Sequence, residues 1–394
     1  MGLYDFVWGI FVGIILACLS FVTRSARTSA IRASYDGTIA RSTVRRHIVQ
    51  RSYLDQVGRQ IHVSKLAGFI FFGTIVDVEK QTRALLDEDV FSEKPIRFVI
   101  FDCSSVDGID YSASEGLGRL QNMFSSREAH LILAGVNPYD GLGGQLRELH
   151  LWDKVRTYPN LNEALEACEN DLLMTLHKRM EALRHEHERA KRLEIPKAPA
   201  DQQMSARMSN AFVGSPRAEI LQQAALSLDQ HAVPPPKWTN YKQPLPLILQ
   251  VFQDLTSLNE DQWFHACPYF HREEYQQGEV VFRRHESAKA FYLVESGILR
   301  ADYDLPNGGY HEIIQQGTTC GELPFFSETE RTATVVADEM CVVWALARKD
   351  WQDMCDKGDG SVEKQLAMEI LKMALKLTKE RLDVVTNYTL VTGG

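Results

Sequence analysis

The chain has 394 residues, a formal net charge of −9 and an apolar fraction of 44%. At roughly 100–200 residues per domain, this length predicts two or three folded units, each with enough apolar residues for a core. The acidic balance argues against a nucleic-acid partner, which would require a basic surface. The seven cysteines form no C-x-x-C pair. They indicate free thiols in a reducing compartment, and we predict no metal site.

An uncharged apolar segment, FVWGIFVGIILACLSFV, occupies residues 6–22. Its length is at the short end of what spans a bilayer. Basic residues follow it, from Arg24 onwards, so the positive-inside rule places the rest of the chain in the cytoplasm. We predict a transmembrane helix at 1–23 and a basic juxtamembrane connector at 24–59. A buried soluble helix or a signal anchor is the alternative. The segment is typical of the last helix of a bundle, so we expect a piece of a longer protein.

Strand and helix patterns alternate over residues 60–177. Short apolar runs are typical of buried strands, and apolar residues at helical spacing follow them. The predicted strands are 61–67, 69–73, 97–101 and 130–134, with a turn at Gly68 and a loop at 102–110. The predicted helices are 74–86, 111–124, 142–149 and 162–177. This order predicts an α/β domain with a mixed or parallel sheet and helices packed on it.

Three segments of this region, IHVSKLAGFIFFG, RFVIFDCSSVDGIDYSASEGLGRL and HLILAGV, resemble the STAS domain. Anti-sigma-factor antagonists share that domain with the cytoplasmic tails of SulP (sulfate permease) transporters. A STAS domain directly behind a membrane helix is the SulP arrangement. The resemblance implies the regulatory portion of a sulfate or anion transporter, with earlier transporter helices as its partners. A homodimer is a further expectation from the family.

The STAS resemblance also singles out the loop that holds Asp110 and Ser112. In the antagonist relatives a serine of the matching motif is phosphorylated, which makes Ser112 a candidate phosphosite. A phosphate there would meet the positive end of the following helix. Both residues are also common helix N-caps, so capping alone accounts for them.

Residues 178–240 are predicted to be a charged helix followed by a linker. Mixed charge with few apolar residues is typical of an exposed helical extension. Prolines, including the run at 234–236, interrupt a stretch rich in Ser, Gln and Ala. This composition predicts disorder over residues 195–235.

Residues 241–394 combine short helices with short strands punctuated by glycine, a pattern that predicts a β-roll, and a long amphipathic helix at 364–385. The segments YQQGEVVFRRHESAKAFYLVESGILRA and CGELPFFSETERTATVVA resemble the cyclic-nucleotide-binding domain. The resemblance implies cGMP or cAMP as a ligand and no other cofactor. The site residues that it implies are Gly321, Glu322, Leu323, Arg331 and Thr332.

In the roles that the resemblance implies, Arg331 and the backbone N–H groups after Gly321 hold the cyclic phosphate. Glu322 accepts from the ribose hydroxyl, Thr332 reaches guanine, and the last helix is a lid. Two departures weaken these roles. Pro324 has no N–H group, and Glu330 adds a negative charge beside Arg331. A fold retained without its ligand is the alternative.

Taken together, these patterns predict a multidomain chain: a transmembrane helix, an α/β STAS-like domain and a β-roll cyclic-nucleotide-binding-like domain with C-terminal helices. The predicted function is that of the cytoplasmic regulatory portion of a SulP-type sulfate or anion transporter, of the fungal type, in the plasma or vacuolar membrane. The alternative is a membrane-anchored signalling adaptor that binds cyclic nucleotide without a role in transport. The sequence has no G-x-S-x-G, P-loop or H-E-x-x-H motif, so we predict no catalytic residues and no enzyme.

Overall fold

The structure, a computed structural model, describes most of the chain. The described residues are 2–27, 29–87, 94–139, 141–192, 220, 221, 223–225, 238, 240–252, 255–305, 308–358 and 360–393.

The amino-terminal apolar segment forms helix α1 (Gly2–Arg27). Its apolar side chains between residues 6 and 20 are exposed, including Trp8 at 68%. A helix needs about 20 consecutive apolar residues to cross a bilayer. Within the described part of the chain, no helix is long and apolar enough to do so. The transmembrane span predicted at residues 1–23 is therefore not shown.

The first domain contains a five-stranded mixed sheet of order β1-β2-β3-β4-β5. Its strands are β1 (Ile31–Asp36), β2 (Ile61–Ile70), β3 (Phe98–Ile109), β4 (His130–Ala134) and β5 (Arg156–Tyr158). Strand β1 is antiparallel to β2, whereas the other neighbours are parallel. The predicted α/β fold with a mixed sheet is confirmed.

Helices cover both faces of this sheet. They are α2 (Ile48–Val57), α3 (Phe72–Ala84), α4 (Tyr111–Ser126), α5 (Gly141–Glu148) and α6 (Leu161–Arg192). Side chains alternate along β3. Phe98 and Ile100 join the core beneath α2 and α6, while Val99 and Phe101 join the core beneath α3 and α4. A strand buried on both faces accounts for the continuous apolar run in the sequence.

Two predicted breaks in this sheet are absent. Strand β2 continues through Gly68, which has a φ of 78° beside an irregularity in the pairing with β3. A glycine takes this left-handed conformation without the cost of a Cβ atom, so the strand bulges there instead of turning. The predicted loop at 102–110 is mostly the second half of β3. Asp102 pairs with both neighbouring strands, and its carboxylate accepts from the Ser104 N–H group.

Two segments that sequence patterns placed outside the domains contribute to the first domain. Strand β1 and helix α2 lie in the predicted connector 24–59. Leu221, Ala224 and Ala225 lie in the predicted linker, yet they are buried in the core beneath α2 and α6. The predicted disorder over 195–235 otherwise falls largely outside the described residues.

The second domain is a β-roll of two four-stranded antiparallel sheets, with orders β10-β9-β12-β7 and β11-β8-β13-β6. The strands are β6 (Phe270–Tyr275), β7 (Val280–Phe282), β8 (Ala290–Ser296), β9 (Leu299–Leu305), β10 (Gly308–Ile314), β11 (Thr319–Cys320), β12 (Thr334–Ala337) and β13 (Cys341–Ala347). The helices are α7 (Leu245–Phe252), α8 (Glu260–Phe264), α9 (Glu322–Phe326), α10 (Arg348–Cys355) and α11 (Val362–Gly393). One core fills the roll, and a second lies between β8, β13 and the helices. The predicted β-roll with C-terminal helices is confirmed.

Helix α11 connects the two domains. Near its beginning, Leu366 and Ile370 lie in the helical core of the second domain. Near its end, Val391 lies in a core of the first domain, and the Thr392 carbonyl accepts from the Nζ atom of Lys65 at 2.9 Å. The helix is longer than the predicted 364–385, and its last turns provide the contact with the sheet.

The burial of Leu221 leads to a stability prediction. Leu221→Ala removes a side chain that is 2% exposed, and we expect it to lower the free energy of unfolding by about 2–5 kcal/mol. Urea denaturation of the full chain, followed by circular dichroism, measures the change. Leu382→Ala is the matched control because Leu382 is 63% exposed. If the two variants unfolded at the same urea concentration, Leu221 would not belong to the core.

Candidate ligand site of the β-roll

The residues predicted to bind a cyclic nucleotide lie between β11 and β12. Strand β11 ends at Cys320, and Gly321, with a φ of 75°, directs the chain into helix α9. A Cβ atom at position 321 would lie 2.3 Å from the Nη1 atom of Arg331. Glycine therefore serves two needs here, the left-handed turn and the close approach of a guanidinium group.

Arg331 is 2% exposed and points into the roll. Its Nη1 atom donates to the Gly321 carbonyl at 2.9 Å, and its Nη2 atom donates to the Ala290 carbonyl at 2.5 Å. The guanidinium carbon lies 3.9 Å from the centroid of the Phe282 ring. Burial lowers the pKa of Arg331. Its Nε atom is buried and has no acceptor among the described residues.

Glu322 is also 2% exposed, and it already has a cationic partner. Its Oε1 atom accepts from the Nη1 atom of Arg45 at 2.9 Å. Arg45 comes from residues 41–47, here called the arm, which lie between β1 and α2. The same Nη1 atom also donates to the Thr319 carbonyl at 3.0 Å.

Arg45 has a second buried carboxylate partner, Glu312 on strand β10. Its Nε atom donates to the Oε1 atom of Glu312 at 2.6 Å. Glu312 is 4% exposed and shares a face of β10 with buried Ile314, so its side chain points to the inside of the roll. The other oxygen of Glu312 accepts from Tyr303 at 3.1 Å and from Arg381 of α11 at 2.7 Å. We call Arg45, Glu312, Glu322, Tyr303 and Arg381 the Arg45 cluster.

The Arg45 cluster balances its charges, with two guanidinium groups against two carboxylates. Burial alone would raise the pKa of Glu322, but Arg45 and Arg381 offset it and the net pKa is lowered. Burial alone would likewise lower the pKa of Arg45, yet Glu312 and Glu322 raise it above its usual value. Burial raises the pKa of Tyr303 to about 12. Glu322 and Arg45 are therefore both charged at neutral pH.

The arm is held to the first domain by its other side chains. The carboxylate of Glu169 on α6 accepts from the backbone and hydroxyl of Ser42, at 2.8 and 2.5 Å, and from the Nε atom of Arg46 at 3.1 Å. Asn162, also on α6, accepts from the backbone N–H group of Thr43 at 2.8 Å. The arm thus binds the first domain and extends Arg45 into the second.

The remaining predicted site residues differ in exposure. Thr332 and Leu323 are exposed, so Thr332 does not join the buried pair of Glu322 and Arg331. Pro324 is buried within α9. Glu330 is exposed, and its Oε2 atom lies 3.2 Å from the Nδ1 atom of His285. The carboxylate of Glu330 therefore has a partner at the surface, the imidazole of His285.

The candidate phosphosite lies in the first turn of α4. Asp110 is the N-cap of this helix, since its Oδ1 atom accepts from the Ala113 N–H group at 2.7 Å. Ser112 is half-buried. The capping that Asp110 provides does not involve Ser112, and phosphorylation of Ser112 stays a prediction.

Sequence patterns missed Arg45, Glu312 and Arg381. Arg45 lies within the stretch predicted to be a basic connector, residues 24–59. Glu312 offered the one available signal, a carboxylate at an inward-facing position of a strand, which requires a partner when buried. Nothing local indicates that this partner lies 267 residues away.

The two domains match known families. Residues 55–164 match the STAS domain, and residues 272–357 match the Cyclic nucleotide-binding domain. The chain therefore contains both domains.

Individual relatives extend these matches. The chain is 28% identical over 436 residues to the vacuolar basic amino acid transporter VSB1 of Saccharomyces cerevisiae, a match that covers 100% of this chain and 41% of the transporter. The cyclic AMP receptor protein of Thermus thermophilus is 35% identical over 89 residues, 22% of this chain and 41% of that protein. Among solved structures, the Thermus thermophilus catabolite activator protein aligns with a TM-score of 0.30 and 25% identity, covering 36% of this chain and 62% of that one. The chain spans less than half the length of either of the two curated relatives.

The buried pair of Arg45 and Glu322 leads to a pH prediction. Glu322→Gln removes one partner of a buried ion pair, a change that typically costs about 3–5 kcal/mol. We expect the low end near neutral pH, because Arg45 retains Glu312. The folded-state pKa of Glu322 lies below its ordinary 4.5, so the carboxylate stabilises the fold above that pH. The stabilisation is lost as the pH falls through the folded-state pKa. Thermal unfolding of the wild type and of Glu322→Gln, followed from neutral pH to well below 4.5, measures the difference in stability.

Glu330→Gln is the control for Glu322→Gln, since it removes a carboxylate of the same segment whose ion pair is exposed. Exposed pairs contribute about 0–1 kcal/mol. A Glu322→Gln difference that stayed constant from neutral pH to well below 4.5 would contradict the lowered pKa of Glu322.

Proposed function

We propose that this chain, which carries a STAS domain and a cyclic nucleotide-binding domain, is the regulatory portion of a membrane transporter and not an enzyme. The observation that carries the proposal is the similarity to a named transporter along the whole of this chain. The match leaves more than half of that transporter outside the chain, and we assign the transport path to the corresponding part of this protein.

The contacts between the domains support a regulatory role. The arm binds α6 of the STAS domain and places Arg45 between two carboxylates of the β-roll. Helix α11 lies in the cores of both domains. A ligand that favours one arrangement of these contacts changes the affinity of each domain for its own partners, which is the requirement for coupling between sites.

The transporter has two candidate cargoes. The STAS resemblance favours sulfate or another anion. The relative that matches along the whole chain is named for basic amino acids. We propose a basic amino acid, because that match includes both domains and their order, whereas the STAS match covers residues 55–164 alone.

We further propose a membrane location, with α1 as the attachment. Its apolar side chains at residues 6–20 are exposed, and transfer into a bilayer would remove them from water. The relative that matches along the whole chain is named as a vacuolar transporter, and we propose the vacuolar membrane here as well.

The ligand that we propose for the β-roll is cGMP or cAMP. The Nε atom of Arg331 is a buried donor without an acceptor among the described residues, and a phosphate oxygen would supply one. Glu322 follows Gly321 at the same turn. In the role that the resemblance implies, its carboxylate accepts from the ribose hydroxyl. The lack of an N–H group at Pro324 removes one phosphate contact, so we expect weaker binding than in relatives that have this donor.

The transport proposal leads to an uptake experiment. Membrane vesicles from cells that express the complete protein are compared with vesicles from cells in which its gene is deleted. We expect deletion to remove uptake of radiolabelled arginine and lysine and to leave sulfate uptake unchanged. Loss of sulfate uptake instead would favour the anion cargo. No change for any of the three would overturn the transporter proposal.

The ligand proposal leads to a calorimetric titration of the full chain with cGMP and cAMP. Arg331→Lys retains the charge but loses the planar fork, so we expect its affinity to fall roughly tenfold or more. Thr332→Ala changes an exposed side chain, and we expect it to weaken cGMP binding and to leave cAMP binding unchanged. Binding that is absent for both nucleotides in folded wild-type and Arg45-substituted protein would establish a fold retained without its ligand.

A further inference from the structure

The inside of the β-roll already holds a guanidinium group that belongs to another domain. Arg45 enters from the arm and uses both kinds of nitrogen, Nε towards Glu312 and Nη1 towards Glu322. Its backbone N–H group donates to the Ile313 carbonyl at 2.8 Å, so the arm also pairs briefly with β10. A bound guanidinium ligand would be held in the same way, because its planar donor group would lie between two converging carboxylates.

The two acceptors of this site exist without Arg45. Glu312 and Glu322 both belong to the β-roll, and their side chains are 5% and 3% exposed. Arg381 neutralises only one of these negative charges. A buried carboxylate without a partner is costly, so the domain needs one more cation at this position.

We propose that the β-roll contains a guanidinium-binding site, formed by Glu312, Glu322 and the Thr319 carbonyl, and that Arg45 is its intramolecular ligand. A ligand that needs the carboxylate of Glu322 must displace Arg45. The guanidinium site rests on the geometry alone. The competition with a cyclic nucleotide rests on the proposed function.

A cavity beside Arg45 provides room for such an exchange. It has a volume of about 90 Å³ and lies between the arm, β11 and α11, with Thr43, Arg45, Glu322, Glu380 and Arg381 in its lining. In the proposed exchange, the displaced guanidinium group of Arg45 moves into this cavity, which it already borders.

Displacement of Arg45 has a consequence for the STAS domain. The arm that carries Arg45 is the segment that binds Glu169 and Asn162 of α6. Because these contacts lie within a few residues of Arg45, release of the guanidinium group removes a link between the domains. A nucleotide would then act on the STAS domain by taking Glu322 away from Arg45.

Chemical rescue tests the guanidinium site. Arg45→Ala in the full chain leaves a gap that ethylguanidinium can fill, so we expect millimolar ethylguanidinium chloride to raise the melting temperature of this variant. Ethylammonium chloride at equal ionic strength has the charge without the planar fork, and we expect little effect. Arg41→Ala is the matched control, because Arg41 lies in the same arm but pairs with Asp55 at 2.5 Å. Absence of specific rescue in folded Arg45→Ala protein would overturn the site.

Nucleotide titration of the same variants tests the competition. In the Arg45→Ala variant no guanidinium group competes for the carboxylate of Glu322, so most molecules are in the state that can bind nucleotide. We therefore expect this variant to bind cGMP or cAMP at least roughly tenfold more tightly than wild type. Equal affinity in wild type and Arg45→Ala overturns the competition and leaves the nucleotide proposal intact. If neither protein binds nucleotide, the nucleotide proposal fails and with it the competition, while the rescue experiment still decides the guanidinium site.

Arg45→Lys replaces the alanine variant if that variant does not fold. Lysine retains the charge but cannot donate to both carboxylates from one planar group. We expect faster hydrogen exchange at the amide of residue 45, which donates to the Ile313 carbonyl, than in the control Arg41→Lys. Equal exchange in the two lysine variants would overturn the proposal.

Discussion

A buried carboxylate must have a cationic or hydrogen-bonding partner, and this requirement fixes how the two domains of this chain meet. Glu312 and Glu322 lie on separate elements of the β-roll and face the same interior. Arg381 of the last helix satisfies part of their charge, and Arg45 of the arm satisfies the rest. Removing either arginine leaves a negative charge in a low-dielectric interior. The interface is therefore specified by charge as well as by apolar contact.

The predicted ligand residues and the interface residues are not separate sets. Glu322 belongs to both, and Arg331 holds the turn at Gly321 that positions Glu322. The turn at which the β-roll would meet a nucleotide phosphate is thus connected by one residue to the contact between the domains. In the competition that we propose, nucleotide binding would be transmitted by an exchange of partners at the single carboxylate of Glu322, without a long path of moving elements.

The sequence allowed correct predictions where a single element determines its own structure. The apolar run of β4 occurs at residues 130–134 as predicted, and α4 begins at Tyr111 because Asp110 caps it. Predictions failed where the outcome depends on distant residues. Gly68 has the local pattern of a turn, but pairing with β3 keeps it in a strand. Leu221 follows a proline-rich and polar stretch, and only the core beneath α2 and α6 explains its burial.

The same distinction holds for the candidate site. The resemblance to the cyclic-nucleotide-binding domain predicts Gly321, Glu322 and Arg331 as site residues, and the structure brings these three residues together. The cationic partner of Glu322 could not be predicted from the sequence. Arg45 is separated from it by 277 residues, and one arginine among many in a basic stretch has no distinguishing pattern. Partner choice for a buried charge is a property of the folded chain.

The path of the chain gives the two domains a reciprocal exchange of segments. The arm, which precedes most of the STAS sheet, contributes a residue to the β-roll. The end of α11, which follows the β-roll, contributes Val391 and the Thr392 carbonyl to the STAS domain. The β-roll thus binds the arm, and the STAS domain binds the end of α11. If a protease cut the chain between α6 and α7, the contacts of the arm and of the end of α11 would still join the two fragments. The cut protein would therefore sediment, and elute from a sizing column, as one particle.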